Sequence, residues 1–196
     1  ARSMEEETDF LLQLATDKPS VLGVVGWTDL PADLSDTAQI ARLRAALPDA
    51  PVVSSDLLRA VQTGDVLTPV SRLPHDPQLR EINFGDWENL TFSQVELGAP
   101  DHIRAYYETP GDIAPPNGES WNAVCARVNA AMDGYVARGH ADLIVVAHYG
   151  VVLSQVQRTL KITPYAAFAQ RIENLSLTQI TVENGDWRAE IINHNP

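Results

Sequence analysis

Short apolar runs alternate along the chain with longer segments whose apolar residues recur at helical spacing. Four runs predict strands, and they cover residues 10–15, 50–55, 142–148 and 176–195. The second and third runs are almost continuously apolar, which is typical of parallel strands covered on both faces. The last run contains the sequence Asn-Gly-Asp between two alternating segments and therefore predicts a β-hairpin.

The segments between these runs predict helices over residues 35–47, 56–67, 120–139 and 151–160. Ser35 and Ser120 precede two of them as suitable N-caps, and Gly139 follows the last helical residue of the third. Strands that alternate with helices favour an α/β fold. We expect a three-layer sandwich with a mainly parallel central sheet.

One region departs from this alternation. Residues 71–117 are rich in proline, aspartate, asparagine and aromatic residues, and we interpret them as an insertion that covers a pocket. The pocket is expected at the carboxyl ends of the strands, where open parallel sheets bind ligands. We expect one domain over residues 4–196, with residues 1–3, before Met4, left over from cloning.

The composition narrows the possible partners and locations. The chain has 196 residues and a formal net charge of −12, which disfavours nucleic acid or an anionic membrane surface as a partner. A small anion in a locally positive pocket remains compatible with this charge. No membrane helix and no signal peptide are expected, because no apolar run reaches about 18 residues and the N-terminal segment is acidic. The single cysteine, Cys125, is interpreted as a core residue, and the expected location is the cytoplasm.

Three polar side chains stand where a ligand is expected. Arg59 falls in the first turn of a helix after one strand, where a guanidinium and helix N–H groups can meet one phosphate. His148 follows another strand, and Glu81 lies in a polar loop where a carboxylate can exchange protons. Each residue also has an interpretation without function: Arg59 as a surface arginine, His148 as a hydrogen-bonded structural histidine and Glu81 as a solvated glutamate.

No metal or cofactor is expected. The remaining histidines have no metal-ligand spacing with one another; they are His75, His102, His140 and His194. No GxGxxG segment follows a predicted strand, so the sequence offers no dinucleotide-binding loop.

The order and neighbours of these residues carry a resemblance to a known family. Six segments resemble motifs of the histidine phosphatase superfamily, which has the phosphoglycerate-mutase-like fold; they are GWTDLPADLSDTAQIARL, VVSSDLLRAVQT, LREINFGDWENLTF, PPNGES, DLIVVAHYGVV and the C-terminal IENLSLTQITVENGDWRAEIINHN. They occur in the family's order over most of residues 23–195. Within the family, the chain resembles the small bacterial phosphatases of the alpha-ribazole phosphatase kind. Asn89 replaces a glycine of the third motif, a mild change because asparagine tolerates the left-handed conformation.

The resemblance implies a mechanism and roles for named residues. Family members attack phosphorus with a histidine just after the first strand, hold the phosphoryl oxygens with two arginines and a second histidine, and need no metal. A glutamate manages the proton of the leaving group. The resemblance makes Arg59 the second arginine, His148 the second histidine and Glu81 the acid. Ser54 and Ser55 then lie on the phosphate side.

The first motif is where this chain departs from the family. The family's first strand ends in Arg-His-Gly, whereas the corresponding residues here are Gln13, Leu14 and Ala15. Gln13 then occupies the position of the family's arginine, where it offers at best a neutral hydrogen bond to phosphate. Leu14 occupies the position of the nucleophilic histidine. No shift of register restores the pair, because no histidine precedes His75 and Arg2 is the only arginine before Arg42.

Leucine has no lone pair, so Leu14 cannot form a phosphohistidine. We therefore expect a pseudophosphatase that binds a phosphorylated small molecule or an inorganic anion. Two alternatives stay open: an active phosphomonoesterase in which His148 or a water attacks with Glu81 as base, and a non-catalytic module that senses a metabolite or docks a protein. A homodimer is compatible with the resemblance.

Overall fold

The computed structural model describes residues 20–25, 37–67 and 71–196. The strands in these ranges are β1 (Ser20–Val25), β2 (Val52–Ser54), β3 (Asp142–Val146), β4 (Leu177–Glu183) and β5 (Asp186–His194). The helices are α1 (Thr37–Ala46), α2 (Leu58–Val66), α3 (Phe92–Gly98), α4 (Pro100–Glu108), α5 (Trp121–Ala137), α6 (Tyr149–Leu160) and α7 (Pro164–Phe168).

The strands form one sheet in the order β2-β3-β1-β4-β5. β2, β3 and β1 run parallel, while β4 pairs antiparallel with both β1 and β5. The carboxyl ends of the three parallel strands therefore lie at the same edge. The β4–β5 hairpin turns at Asn184 and Gly185, whose φ angles of 53° and 82° suit the predicted Asn-Gly turn.

Helices cover both faces of the sheet and make the predicted three layers. Leu143 and Val145 of β3 pack in one hydrophobic cluster with α5 and α6. Ile144 and Val146, which point to the opposite face, pack in a second cluster with residues of α1 and α2. The nearly continuous apolar run in β3 thus reflects burial on both sides, and the α/β fold is confirmed.

The first described strand is Ser20–Val25, where the sequence analysis predicted none. It lies in the middle of the sheet, with Val25 paired to Val146 on one side and Leu177 on the other. The strand predicted over residues 10–15 lies outside the described residues, as does the predicted N-cap Ser35. The central strand of the described sheet therefore comes later in the sequence than the first strand that the apolar pattern predicted.

Residues 71–117 form helices and turns in addition to irregular segments. They include two 3₁₀ turns, Pro77–Leu79 and Gly85–Trp87, in addition to α3 and α4. A small hydrophobic cluster of its own holds this region together, and its buried members are Trp87, Val95, Ile103 and Tyr106. In the part of the chain that the structure describes, no helix has the length and apolarity to cross a membrane.

Two helix starts differ from their predicted positions by two residues. α2 begins at Leu58 rather than at 56, and α6 begins at Tyr149 rather than at 151. Ser120 caps α5 as predicted, because its hydroxyl accepts a hydrogen bond from the Ala123 N–H. Cys125 packs against the main core, and its burial raises the pKa of the thiol to about 11.

Candidate active site

The parallel strands bring Arg59 and His148 into contact. β2 and β3 pair in register, so that Ser54 lies beside Val146. The chain continues from these neighbours to Arg59 in the first turn of α2 and to His148, the N-cap of α6. Two residues that are 89 positions apart in sequence thereby meet, and the Arg59 Nε–H donates to His148 Nδ1 at 3.3 Å.

His148 is fully buried and uses both ring nitrogens in hydrogen bonds to protein. Its Nε2 lies 2.6 Å from the hydroxyl of Ser55, which is also fully buried. Because Nδ1 accepts from Arg59, the neutral ring carries its proton on Nε2 and donates it to Ser55. The Ser55 oxygen also accepts from the Leu57 N–H at 3.3 Å, which places this hydroxyl between the histidine and the start of α2.

The surroundings keep this imidazole neutral. Burial, followed by the positive charges of Arg59 and Arg127, lowers the pKa of His148 to about 3. His148 therefore acts as a neutral hydrogen-bonding group near pH 7 rather than as a cation.

Ser54 has different partners from its neighbour Ser55. Its hydroxyl lies 3.1 Å from His75 Nδ1 and accepts a hydrogen bond from Arg72 Nη2 at 3.1 Å. His75 was not singled out in the sequence, because nothing local indicates that residues 71–75 return to the end of β2. The Leu73 N–H donates to the Val52 carbonyl at 2.9 Å and holds this segment beside the strand.

Glu81 lies next to the start of α6. Its Oε1 accepts hydrogen bonds of 2.9 Å from the backbone N–H groups of Ile82 and Gly150. Burial raises the pKa of Glu81 despite these two bonds and the nearby arginines. Glu81 thus bonds to Gly150, which lies two residues after His148 in the first turn of α6. Its raised pKa favours the protonated form that a proton donor needs.

An arginine that the sequence analysis did not select holds the Glu81 loop in place. Arg127 of α5 donates to the carbonyls of Gln78 and Glu81, at 2.7 and 3.2 Å, and forms a salt bridge of 2.7 Å with Glu119. Burial opposes the charge on Glu119, but the bonds from Arg127 and from the Asn83 N–H lower its pKa overall. Glu119 of the Pro-Pro-Asn-Gly-Glu-Ser motif therefore helps, through Arg127, to hold the Glu81 loop in place.

A cavity of about 150 Å³ adjoins the Glu81 carboxyl group. Apart from Glu81, its lining is apolar and aromatic and consists of Ile82, Phe84, Tyr106, Tyr107, Tyr149 and Phe168. Most of these residues come from the region 71–117, while Tyr149 and Phe168 come from the C-terminal third.

Other predicted features lie outside this constellation. Gln13 and Leu14 are outside the described residues, so the structure does not test their assignment to the arginine and nucleophile positions. Over residues 20–25, 37–67 and 71–196, no group of three or more His, Cys, Asp or Glu side chains is arranged to hold a metal ion.

Comparison with protein families gives a match over most of the chain. Residues 16–195 match the model of the histidine phosphatase superfamily, branch 1. The match starts two residues after Leu14, so it does not include the Gln13-Leu14 pair.

Curated relatives include phosphate-ester enzymes. A glucosyl-3-phosphoglycerate phosphatase of Mycobacterium tuberculosis is 34% identical over 151 residues, which are 69% of this chain and 65% of the relative. A probable phosphoglycerate mutase of Proteus mirabilis is 28% identical over 142 residues, 70% of this chain and 66% of the relative. The matched part thus spans slightly less than two thirds of these relatives.

Solved structures share the fold. YhfR of Bacillus stearothermophilus superimposes with a TM-score of 0.78 at 20% identity, covering 89% of this chain and 96% of the other. The mycobacterial glucosyl-3-phosphoglycerate phosphatase in complex with inorganic phosphate gives a TM-score of 0.71 at 27% identity, covering 90% and 98%.

Proposed function

This chain belongs to the histidine phosphatase superfamily, and we propose that it is a pseudophosphatase of the cytoplasm that binds phosphate esters without hydrolysing them by the family mechanism. One combination supports the proposal: Arg59 contacts His148 at the ends of two parallel strands, in a chain whose sequence has no histidine before His75.

The missing nucleophile does not depend on which segment forms the first strand. The resemblance assigns Leu14 to the nucleophile, whereas the sheet has Ser20–Val25 at its centre. Neither segment contains a histidine or an arginine, nor do residues 26–29 that follow β1 in sequence. His75 is the first histidine of the chain, and it lies beside Ser54 at the end of β2.

The geometry of His148 argues against its use as a replacement nucleophile. Nδ1 accepts from Arg59 and Nε2 donates to Ser55, so neither nitrogen has a lone pair directed at a ligand. An attack by His148 would first require the loss of a buried hydrogen bond. Burial raises the pKa of Glu81, which suits a residue that protonates the leaving group. Protonation of the leaving group alone does not cleave the ester, because no group attacks phosphorus.

Anion binding is supported by the groups that remain. Arg59 supplies a permanent positive charge in the first turn of α2. The family relative whose structure holds inorganic phosphate shows that this fold accommodates the anion. On a chain with a net charge of −12, a local cation of this kind determines where an anion can bind.

Calorimetric titration with inorganic phosphate and orthovanadate, paired with a p-nitrophenyl phosphate assay, tests the proposal. We expect measurable anion affinity with no turnover above the rate in buffer. Arg59→Gln should weaken binding about tenfold or more, because it removes a charge-assisted contact. Arg104→Gln is the matched control, since Arg104 forms an exposed salt bridge with Glu96 and does not line the cavity.

The competing functions give other results. Robust hydrolysis that His148→Ala abolishes identifies an active phosphatase with a changed mechanism and contradicts the proposal. Absence of any anion affinity in a folded protein also contradicts it, and then favours a module that docks proteins through another surface.

A further inference from the structure

We propose that the phosphate ester bound by this protein carries a single aromatic ring, or an apolar group of that size, on its alcohol side. This inference rests on the proposed function and specifies its ligand class. It starts from the cavity that Glu81 lines. Glu81 accepts a hydrogen bond from Gly150, two residues after His148, so the cavity lies beside the candidate anion site.

The size of the cavity fits one ring. Its volume is about 150 Å³, and an apolar cavity of roughly this size holds a benzene molecule in a protein core. The cavity is therefore large enough for one ring.

The lining offers ring faces and edges. Tyr106, Tyr107 and Phe168 lie within 6.2 Å of one another, centroid to centroid, and tilt by 46° to 85°. Such rings present both edges and faces to an aromatic guest and favour edge-to-face contacts. Tyr149, which follows His148 in the sequence, also lines the cavity.

The lining of the cavity disfavours ligands that carry an additional acidic group, such as glycerate esters. Glu81 is the only ionisable group besides tyrosines among the described lining residues, and no lysine or arginine accompanies it. A carboxylate on the ligand would be desolvated among the apolar and aromatic lining residues, none of which carries a positive charge, and this is unfavourable. Glycerate esters are therefore expected to bind less well here than neutral aryl esters.

The wall of the cavity combines apolar and aromatic side chains with the carboxyl group of Glu81, as is typical of small-molecule sites.

The test compares four probes by calorimetric titration: phenyl phosphate, methyl phosphate, 3-phosphoglycerate and inorganic phosphate. Phenyl phosphate should bind about tenfold more tightly than methyl phosphate, because the ring is buried, and 3-phosphoglycerate should bind no better than methyl phosphate. Equal affinities for the phenyl and methyl esters, or tighter binding of 3-phosphoglycerate, would overturn the inference.

Variants locate the preference in the cavity. Tyr107 is 41% exposed and lines the cavity, so Tyr107→Ala should remove most of the phenyl preference, while Tyr107→Phe should keep it. Tyr165→Ala is the matched control, because Tyr165 is 63% exposed and lies outside the lining. An unchanged preference in Tyr107→Ala, or an equal loss in the control, places the ring elsewhere and contradicts the inference.

The result also separates this inference from the proposed function. Inorganic phosphate that binds while the phenyl ester gains nothing refutes the aryl preference alone. Failure of all four probes to bind the folded protein refutes the proposed function, and the ligand class with it.

Discussion

The Glu81 carboxylate occupies the space that a side chain at position 150 would need. Glu81 Oε1 accepts the Gly150 N–H at 2.9 Å, and a Cβ added to Gly150 would lie 2.6 Å from the same oxygen. It would also lie 2.6 Å from Ile82 Cγ1. Gly150 is therefore required by close packing between the acid loop and the start of α6.

Gly150→Ala should destabilise the protein and displace Glu81. The methyl group must move both the carboxylate and the buried Ile82, which should lower the free energy of unfolding by about 1–3 kcal/mol. Urea denaturation measures this. Gly134→Ala in α5 is the control, because a Cβ there meets no atom within 4 Å and should leave stability unchanged or raise it by up to about 1 kcal/mol. A neutral Gly150→Ala would show that the loop is not held as described.

Removing Arg127 should loosen the Glu81 loop. Arg127 and Glu119 are partly buried, with side-chain exposures of 16% and 26%. Arg127→Ala removes the cation that pairs with Glu119 and the donor to the Gln78 and Glu81 carbonyls. The free energy of unfolding should fall by about 2–4 kcal/mol. Arg127→Lys should recover little of it, because an ammonium group cannot reach all three acceptors.

The exposed pair of Arg104 and Glu96 supplies the comparison. Arg104→Ala should change the free energy of unfolding by less than about 1 kcal/mol, as is usual for surface salt bridges. Equal losses in the Arg104 and Arg127 variants would mean that the Arg127 network has no special structural role.

Stability should fall in weak acid because of His148. The ordinary histidine pKa of 6.5 falls to about 3 in the folded protein, so below pH 6.5 the unfolded chain binds a proton that the folded chain does not. This contribution is complete above pH 6.5 and decreases as the pH falls toward 3, with a loss of about 2 kcal/mol at pH 5. Denaturation at pH 8 and pH 5 measures it.

His148→Gln isolates this effect from that of Glu81, whose raised pKa acts in the opposite sense and favours the folded state as the pH falls. The variant should lose less stability than the wild type between pH 8 and pH 5. Identical pH dependence in both proteins would show that His148 is not the buried neutral group.

Restoring the missing pair tests the register of the first strand. By the resemblance, Gln13→Arg with Leu14→His should strengthen vanadate binding and recover some turnover. The comparison variant, Val25→Arg with Gly26→His, places the pair at the end of the strand that the structure has at the sheet centre. A gain in the second variant alone would assign the nucleophile position to the end of β1 and refute the assignment to Leu14.

The sequence predicted the elements that carry strong local signals. The nearly continuous apolar runs of β2 and β3, the Asn184-Gly185 turn and the Ser120 cap all have the predicted form. Asn89 has a φ of 60°, as its replacement of a glycine suggested. Each of these features depends on a few adjacent residues, so a single sequence contains the information.

What the sequence did not indicate depends on contacts between distant segments. Arg127 has no unusual neighbours in its helix, and its role appears only when α5 packs against the loop from 78 to 81. The pairing of Ser55 with His148 likewise needs β2 and β3 to lie side by side. β1 was missed because Ser20–Val25 contains a glycine and follows a proline, which weaken a strand signal.

The most direct test of the central claim is a search for phosphohistidine. The purified protein is incubated with ³²P-labelled phosphate ester, quenched in alkali, in which phosphohistidine survives, and analysed for protein-bound label, with anion binding measured on the same sample. We predict anion binding with no covalent label. Stoichiometric label on any histidine of the chain would contradict the account.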